Sequence, residues 1–225
     1  MKPYIIIPAY NESATIQQVL EKITQIYDMD HVIVIDDGST DATYANAKRA
    51  GVRVYRHSIN RGLGGALGTG LGVARALRAD LAVTLDADGQ HDITEIDRLI
   101  APIVSKEAQV VIGSRLLQPR GMPMIRRAYN RIANLITWVI FGVWTTDSQS
   151  GFRAFSKEAI DVINLRTNRM EVSSEFFKEI KANRLTFKEV PIKAIYTDYS
   201  LSKGQNFFVG IKTVVRLILL RLRGK

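Results

Sequence analysis

The sequence predicts an α/β protein with a mostly parallel central sheet and helices on both faces. Short apolar runs rich in Ile and Val alternate with longer segments whose apolar residues recur at helical spacing. Continuous apolar strands are typical of a parallel sheet that the connecting helices cover on both sides. The 225 residues are 46% hydrophobic and 24% charged, so the chain can bury a substantial core and a globular domain is expected.

Five strands and four helices are predicted in the first half of the chain. The strands are the apolar runs Tyr4–Ile7, His31–Ile35, Val52–Tyr55, Leu81–Leu85 and Val110–Gly113. The helices are Glu12–Tyr27, Asp41–Ala50, the Gly- and Ala-rich Gly62–Leu77, and Thr94–Val104. Sheets of this kind bind ligands beyond the carboxyl ends of their strands, and polar motifs follow four of the five strands here.

The second half is less regular. It predicts helices at Ile125–Phe141, Lys157–Ile163 and Ser173–Ala182, strands at Phe152–Phe155 and Thr186–Tyr196, and a final helix from about Asn206. No internal repeat or linker interrupts the chain. We therefore expect one domain over residues 1–200, with an amphipathic interface helix at about 124–144, and a basic amphipathic appendage over residues 201–225.

The positive charge is concentrated in two segments. The chain carries 31 Lys and Arg against 22 Asp and Glu, a formal net charge of +9. Five basic residues and no acidic one lie between Arg115 and Thr146, and six and none between Tyr199 and Lys225. These eleven exceed the whole net charge, so the remainder of the chain is close to neutral. The absence of cysteine excludes disulfides and Cys-ligated metal centres.

Nothing in the sequence predicts a signal peptide or a membrane span. The N-terminus runs directly into the first predicted strand without a basic segment and a long apolar stretch. The longest uncharged run in the basic regions, Ile132–Thr146, is shorter than the about 20 apolar residues that a spanning helix needs. We expect a protein that is made and kept in the cytoplasm.

An acidic cluster follows the fourth predicted strand, in the order Asp86-Ala87-Asp88-Gly89-Gln90. Two carboxylates one residue apart at a strand end can turn toward one hard cation, and Gln90 supplies a further oxygen. Oxygen ligands of this kind suit Mg²⁺ or Mn²⁺, which also coordinate substrate phosphates. The alternative is a solvated Asp-Gly turn, which would be favoured if the motif stood alone.

Further polar motifs follow the first and second strands. Asp36-Asp37-Gly38-Ser39-Thr40-Asp41 contains a residue that is expected to cap the next helix, and its other acids suit the hydroxyl or N–H groups of a nucleotide. Pro8-Ala9-Tyr10-Asn11-Glu12 is either a helix start or an aromatic and polar face for a nucleoside. The glycines of Gly62–Gly68 match no dinucleotide or P-loop pattern, so close helix packing is favoured there, with Asn60 and Gly62 bordering the nucleotide.

Together these motifs resemble family 2 glycosyltransferases of the GT-A fold, particularly the dolichol- or polyprenyl-phosphate sugar synthases. The matching pieces, in family order, are Pro8-Ala9-Tyr10-Asn11-Glu12, Asp36-Asp37-Gly38-Ser39-Thr40-Asp41, Asn60-x-Gly62, Asp86-x-Asp88-Gly89-Gln90, Gly113-Ser114-Arg115 and Asp147-x-x-Ser150-Gly151-Phe152-Arg153. Each motif alone is weak, whereas six in order over roughly the first 155 residues are a strong signal. Glu189-Val190-Pro191 also resembles the family's late strand.

The resemblance implies roles for individual residues. The nucleoside of a sugar nucleotide would be held by Pro8, Tyr10, Glu12 and Asp37, within a wider nucleotide-sugar site that includes Asn11, Asn60, Gly62, Asp86 and Ala87. A divalent metal on the diphosphate would be held by Asp86, Asp88 and Gln90. Phosphate at the donor–acceptor junction would meet Arg115 and Arg126.

Two departures from the family pattern affect the acceptor side. The family often carries an Arg and then Gly-x-Ser-Lys near its C-terminus, and here the stretch is Tyr199-Ser200-Leu201-Ser202-Lys203. Lys203 keeps its place, so a phosphate role is still expected of it. Asn130 stands where some relatives have a Ser near the acceptor phosphate.

The implied chemistry is inverting, in-line displacement at the anomeric carbon. A cation at Asp86 and Asp88 would neutralise charge on the diphosphate leaving group. A phosphate monoester acceptor is already anionic, so it needs alignment and charge screening by Arg115, Arg126 and Lys203 more than a base. A sugar hydroxyl acceptor would instead require a carboxylate base, for which Asp147 is the candidate. Asp147 is equally well interpreted as a structural partner of Arg153.

The two basic segments also predict a surface for a membrane. Arg126, Arg127 and Arg131 precede an apolar, aromatic-rich stretch, and the tail from Phe207 repeats that combination. Basic amphipathic helices of this kind lie in membrane interfaces, at about 1 kcal/mol per cationic residue on anionic lipid. Packing on the core or against a small membrane protein is the alternative. We expect peripheral association with the cytoplasmic face of a membrane.

Three other functions compete with a membrane-associated polyprenyl-phosphate sugar synthase. A relative with the same fold would glycosylate a saccharide or protein hydroxyl in polysaccharide or cell-envelope synthesis. A basic nucleic-acid-binding module would need no strand-end carboxylates, which repel phosphate, so no nucleic-acid partner is expected. An inactive lipid-binding relative would not need the intact Asp86, Asp88, Gln90 and Arg115.

Overall fold

The computed structural model describes residues 2–119, 122, 124–168, 171–193 and 195. Its strands are β1 (Tyr4–Ala9), β2 (Val32–Asp36), β3 (Arg53–Arg56), β4 (Leu81–Thr84), β5 (Val110–Ser114), β6 (Arg153–Ser156) and β7 (Phe187–Pro191). Its helices are α1 (Ile16–Thr24), α2 (Thr43–Arg49), α3 (Leu63–Ala76), α4 (Ile96–Val104), α5 (Met124–Phe141), α6 (Lys157–Val162) and α7 (Val172–Ala182). Short 3₁₀ turns precede β2 and α4.

The strands form one sheet in the order β3-β2-β1-β4-β6-β5-β7. β1 pairs in parallel with β2 and β4, β2 with β3, and β5 with β7. β6 is antiparallel to both of its neighbours, β4 and β5. The mostly parallel sheet is confirmed, and the insertion of a reversed strand in its middle is a feature that the sequence pattern did not reveal.

Helices cover both faces of the sheet, so the residues of β2, β4, β5 and β6 are all buried, as are those of β1 after Tyr4. In β1, Ile5 and Ile7 point to the face that α1 and α4 cover, whereas Ile6 points to the face that α3, α6 and α7 cover. Because successive side chains of a strand point to opposite faces of the sheet, each central strand contributes to both hydrophobic cores. This explains why the strands are continuous apolar runs rather than alternating ones.

Close packing accounts for three of the glycines of α3, Gly64, Gly65 and Gly70. A Cβ at Gly70 would overlap the side chain of Ile6 in β1, and one at Gly64 would overlap the backbone of Thr167. The backbone N–H groups of Gly64 and Gly65 donate to the carbonyl of Asn168 at 3.1 and 3.3 Å. The packing interpretation of this segment is confirmed, because protein groups occupy this end of the helix.

Several element boundaries differ from those predicted. α1 begins at Ile16 rather than Glu12, because residues 12–15 form a turn in which the Glu12 carbonyl accepts the N–H groups of Thr15 and Ile16. β7 ends at Pro191, five residues earlier than predicted. The predicted final helix and the appendage over residues 201–225 lie outside the described residues. In the described part of the chain, no helix combines the length and hydrophobicity that a membrane span requires.

Candidate active site

The loops after β1 and β2 are fastened to each other at the carboxyl edge of the sheet. The backbone N–H of Asn11 donates to Ser39 Oγ at 3.0 Å, and its side-chain oxygen accepts the N–H of Thr40 at 2.9 Å. The N–H of Glu12 donates to Thr43 Oγ1 at 2.8 Å. Asn11 has a positive φ of 53°, a conformation that Asn tolerates better than most residues. The two motifs therefore form one structural unit.

Pro8 and Tyr10 lie on either side of the last residue of β1. Pro8 is buried within the strand, where it pairs in register with Ile35. The side chain of Tyr10 is 44% exposed, so an aromatic face is available beside the joined loops.

Asp37 organises the loop that leads into α3. It is almost fully buried, and its two oxygens accept the backbone N–H groups of Arg61 at 2.9 Å and Gly62 at 2.6 Å. His57 Nδ1 lies 2.7 Å from the same carboxylate. The turn depends on Gly38, where a Cβ would clash with the backbone of Ile59 and Asn60. Asn60 and Gly62 are thus brought next to Asp37, and their role beside a nucleotide stays a prediction.

The other acids of this motif are also engaged. Asp36 is fully buried and forms an ion pair with Arg56 at 3.0 Å. Asp41 accepts the N–H of Thr43, the first residue of α2, at 2.9 Å, and the N–H of Ser13 at 3.1 Å. Burial by itself would raise the pKa of Asp41. The hydrogen bonds from Thr43 and Ser13 outweigh that effect and lower the pKa to about 2. Asp41 therefore satisfies the first backbone N–H of α2, although the residue directly before the helix is Ala42, which has no capping side chain.

Asp86 is fixed by contacts on two sides. His91 Nε2 lies 3.0 Å from its Oδ2, and the His91 ring stacks on Phe152 with centroids 5.0 Å apart. The backbone of Gly151 lies directly against the carboxylate, leaving no room for a Cβ at that position. Burial opposes ionisation, but the His91 hydrogen bond and the positive charges of His91, Arg115 and Arg153 hold the pKa of Asp86 below its usual value.

Asp88 lies beside Asp86, separated from it by the buried Ala87. Its Oδ1 accepts the backbone N–H of Gln90 at 3.0 Å. Burial and the negative charge of Asp86 raise the pKa of Asp88, and Glu12 adds to the effect. The carboxylates of Glu12, after β1, and of Asp86 and Asp88, after β4, therefore repel one another. A cation bound near them would reduce this repulsion.

The donor set of Asp86, Asp88 and Gln90 fits a hard divalent cation. Mg²⁺ typically uses one or two carboxylates and takes its remaining ligands from substrate phosphates and water. No group of three or more His, Asp or Glu gathers as a complete cage within the described residues. Asp86 and Asp88 therefore suit a cation that completes its coordination shell with oxygens from the substrate.

Arg115 and Asp147 form a buried ion pair at the end of β5. Nε and Nη2 of Arg115 donate to the two carboxylate oxygens of Asp147 at 2.7 and 2.8 Å, and the Arg115 backbone N–H donates to the same group at 3.0 Å. Asp147 is fully buried, whereas 18% of the Arg115 side chain is exposed. Two parallel N–H···O bonds fix the plane of the guanidinium as well as its position.

The proposed pairing of Asp147 with Arg153 is wrong. Arg153 donates instead to the carbonyls of Ser148 and Ser173, and its guanidinium lies 4.3 Å from the centre of the Phe176 ring. Burial lowers the pKa of Arg153 to about 10. Arg153 therefore contributes a buried positive charge near the acidic cluster, while Asp147 serves Arg115.

Two predicted residues on the acceptor side are described only in part or not at all. Arg126 lies in the first turn of α5, and its side chain is outside the described residues, as is Lys203. α5 is tied to the site by Asn134, whose amide donates to the Thr146 carbonyl and whose oxygen accepts the Ser148 N–H at 2.8 Å.

One side of α5 and the segment after it expose apolar and aromatic side chains. Trp138 and Trp144 are 49% and 62% exposed and contact each other edge to face. The other exposed apolar residues of the helix are Met124, Ile125, Tyr129, Ile132, Leu135 and Val139. Arg127 donates to the carbonyls of Pro119 and Met122, so these two residues are held against the helix.

A cavity of about 300 Å³ opens next to the two carboxylates, on the side of α1. Its polar lining includes Thr15, Gln18, Lys22, Asp88 and His91. The acidic cluster therefore borders a space that a substrate group can enter.

Three residues of this site were not singled out from the sequence as parts of it. His91 and His57 each hold a strand-end carboxylate, and Glu189 accepts hydrogen bonds from four donor groups in residues 145–147. For His91, proximity to Asp86 in sequence was the available signal. For His57 and Glu189 the contacts span 20 and about 43 residues, and no spacing rule covers such pairs.

Comparison with known proteins agrees with this architecture. Residues 4–163 match the family model described as glycosyl transferase family 2. The UDP-N-acetylglucosamine–dolichyl-phosphate N-acetylglucosaminyltransferase of Methanococcus voltae is 41% identical, over 97% of this chain and 96% of that protein. The undecaprenyl-phosphate mannosyltransferase of Micrococcus luteus is 28% identical, over 93% of this chain and 90% of that protein.

The fold also matches a solved structure. Glucosyl-3-phosphoglycerate synthase from Mycobacterium tuberculosis, crystallised with Mn²⁺, UDP and phosphoglyceric acid, superposes with a TM-score of 0.73 at 22% identity. The match covers 98% of this chain and 78% of that one, and confirms the predicted GT-A type fold. Since the family model spans most of the chain and a relative above 40% identity spans nearly all of it, the chain belongs to glycosyl transferase family 2.

Proposed function

We propose that the protein transfers a sugar from a nucleotide-sugar to a polyprenyl phosphate at a membrane surface, with inversion at the anomeric carbon. The observation that carries this proposal is the pairing of two unlike sites at one sheet edge. Asp86 and Asp88 form an acidic site suited to a metal diphosphate, and Arg115, locked on Asp147, forms a cationic one. The short segment 147–151 joins the two sites, because Asp147 binds Arg115 and Gly151 lies against the Asp86 carboxylate, and this proximity supports a donor and an acceptor meeting there.

The donor nucleoside is assigned to the joined loops after β1 and β2. Tyr10 offers its exposed face, and Pro8, Asn11 and Glu12 are assigned to the same wall. Asp37, Asn60 and Gly62 border the same region, and the contacts of Asp37 with the 61–62 backbone support a role in shaping this wall. Ala87, between the two carboxylates, is assigned to the sugar-phosphate part of the donor.

Asp86, Asp88 and Gln90 would hold Mg²⁺ or Mn²⁺. The cation would stabilise negative charge on the departing diphosphate. His91 and Gly151 fix the orientation of the Asp86 carboxylate before a substrate arrives, which lowers the reorganisation that binding requires.

The acceptor phosphate is assigned to Arg115, with Arg126 and Lys203 as further cationic partners. Its oxygen is an adequate nucleophile when ionised, so the protein has to align it and screen its charge. Asp147 is fully buried and both of its oxygens bind Arg115. A carboxylate in that position is poorly placed to remove a proton from a hydroxyl, which favours a phosphate acceptor over a saccharide or protein hydroxyl. We assign Asp147 the role of positioning Arg115.

The exposed side of α5 supports association with a membrane. A row of apolar side chains ending in Trp138 and Trp144 is the kind of surface that inserts into the interface between headgroups and acyl chains. We propose that residues 1–200 form the catalytic domain, that residues 201–225 add a second basic amphipathic contact, and that the protein binds the cytoplasmic face. A small membrane protein occupying the same surface is the competing partner.

The proposed function is tested with purified protein, Mn²⁺ or Mg²⁺, a panel of UDP- and GDP-sugars, and short-chain polyprenyl phosphate in detergent. A lipid-linked sugar formed from at least one donor, and lost when the metal is chelated, is the expected product. Failure of every donor to give such a product would overturn the proposal. Sedimentation with vesicles of anionic phospholipid, with and without Trp138→Ser and Trp144→Ser, tests the membrane contact separately.

A further inference from the structure

The carboxylate of Glu189 accepts hydrogen bonds from several donors in the loop that carries Asp147. Glu189 lies in β7, in register with Ile112 of β5. Its Oε1 accepts from Thr145 Oγ1 at 2.7 Å, from the Thr146 N–H at 2.8 Å and from Thr146 Oγ1 at 2.9 Å. A carboxylate that accepts several hydrogen bonds from one loop fixes the conformation of that loop.

A chain of hydrogen bonds continues from Thr146 to both neighbours of Arg115. The Thr146 hydroxyl has one proton, which it donates to Glu189, so in its 2.7 Å contact with Ser114 Oγ the serine must be the donor. Ser114 Oγ in turn accepts the backbone N–H of Leu116 at 3.3 Å. Glu189 thereby sets the direction of a chain that ends on residues 114 and 116, on either side of Arg115.

A second route reaches the guanidinium itself. The backbone N–H of Asp147 lies 3.3 Å from Glu189 Oε1, and the Asp147 carboxylate binds Nε and Nη2 of Arg115. Glu189 therefore fixes the backbone that precedes and follows Arg115 and also the carboxylate that orients its side chain. Neither route involves Asp86, Asp88 or the loops assigned to the nucleoside.

We propose that Glu189 is a positioning residue that sets the geometry of Arg115 toward the acceptor phosphate without contacting either substrate. The inference rests on the proposed function, since it concerns the same site. It assigns Glu189 to the acceptor side alone, which distinguishes it from a residue that merely supports the fold. Loss of Glu189 should thus weaken use of the acceptor while leaving the nucleotide site intact.

The test compares Glu189→Ala and Glu189→Gln with a matched control on the same strand. The amide oxygen of Gln can take the place of Oε1 and accept the same hydrogen bonds, although without the charge that strengthens them. Lys188→Gln is the control, because Lys188 is half exposed and pairs only with Glu107 among the contacts described for it. The measurements are KM for polyprenyl phosphate, kcat, and the Kd of UDP or GDP with Mn²⁺ by calorimetry.

Glu189→Ala is expected to raise KM for polyprenyl phosphate by about tenfold or more, as a displaced phosphate-aligning group would. The Kd of the nucleoside diphosphate should stay within about twofold, Glu189→Gln should lie between Glu189→Ala and the unsubstituted protein, and Lys188→Gln should match the latter. An unchanged KM for the lipid phosphate, or a parallel loss of diphosphate binding, would overturn the inference. If the unsubstituted protein makes no lipid-linked sugar, the proposed function fails rather than this inference.

Thr146→Val keeps the test decisive if Glu189→Ala does not fold. This variant is nearly isosteric and retains the Thr146 backbone N–H, but it breaks the link between Glu189 and Ser114. It should show the same selective rise in KM for the lipid phosphate, smaller in size because the route through Asp147 is intact. No selective rise in this variant would contradict the inference on its own.

Discussion

The Asp86 carboxylate lies directly against the backbone of Gly151, at a separation that leaves no room for even a methyl group on residue 151. Gly151 is on the chain entering β6, and the Thr84 hydroxyl donates to its carbonyl at 2.8 Å. The segment that leads into the antiparallel strand β6 thus places a glycine beside the Asp86 carboxylate, where a larger residue would overlap it. This contact explains in physical terms why the Ser150-Gly151-Phe152 motif accompanies the acidic cluster.

Gly151→Ala should displace the Asp86 carboxylate and weaken metal binding. Because the Asp86 side chain has to move away from the new methyl group, we expect a fall in affinity for Mn²⁺ with UDP or GDP of about tenfold or more. Electron paramagnetic resonance of Mn²⁺ measures it directly. Gly72→Ala, where a new Cβ meets no atom within 4 Å, is the matched control and should leave affinity unchanged. Equal affinities in both variants would contradict the assignment of Asp86.

Asp147→Asn should disable Arg115 rather than remove a base. The amide can accept from only one of the two Arg115 nitrogens, so the guanidinium loses its fixed plane. We expect kcat/KM for polyprenyl phosphate to fall by about 100-fold. In a double-mutant cycle, adding Asp147→Asn to Arg115→Ala should cause little further loss, because both changes remove one interaction. Fully additive losses would instead indicate an independent catalytic role for Asp147.

His91 should tune the affinity of the metal site through Asp86. The His91 ring donates to the carboxylate when Nε2 carries a proton, and the amide nitrogen of Gln can replace that donor. His91→Ala is therefore expected to weaken Mn²⁺ binding by about 10- to 100-fold, and His91→Gln by less. Calorimetric titration with Mn²⁺ in the presence of UDP or GDP measures both. Identical affinities for the two variants would show that the hydrogen bond has no influence.

Asp41 gives a prediction about pH and stability. Its folded pKa of about 2 is lower than the ordinary value of 3.8, so its ionised form stabilises the folded protein at pH values above the ordinary pKa. That contribution is lost as the pH falls through the folded pKa. Urea unfolding should therefore show the largest difference between Asp41→Asn and the unsubstituted protein above about pH 4, shrinking toward pH 2. A difference in unfolding free energy between the two proteins that stays constant from about pH 4 to about pH 2 would contradict this role of Asp41.

Sequence patterns predicted the elements and the edge of the sheet where the motifs meet, because periodicity and strand ends are local properties. The direction of β6 was not predictable, since four buried residues look alike in a parallel or an antiparallel strand. The partner of Asp147 was also not predictable. Arg115 and Arg153 are both within reach of it in the fold, and only the strand order and the loop geometry decide between them.

The networks around the site were the least accessible from sequence. Asp37 was expected to meet a nucleoside, which stays a prediction, and in the structure its carboxylate holds the backbone of residues 61 and 62. Glu189 was noted only as part of a late strand, although its side chain organises the loop before Asp147. Such roles arise from side chains that meet across long stretches of sequence, and they leave no periodic signal.

The central claim is that the acceptor is a phosphate, and the most direct test compares polyprenyl phosphate with the corresponding polyprenol. The two lipids have the same chain and differ only in the phosphate, so the comparison isolates the group assigned to Arg115. With the preferred sugar nucleotide and Mn²⁺ or Mg²⁺, we predict glycosylated product from polyprenyl phosphate and none from polyprenol. Product formed from polyprenol at a comparable rate would contradict the account.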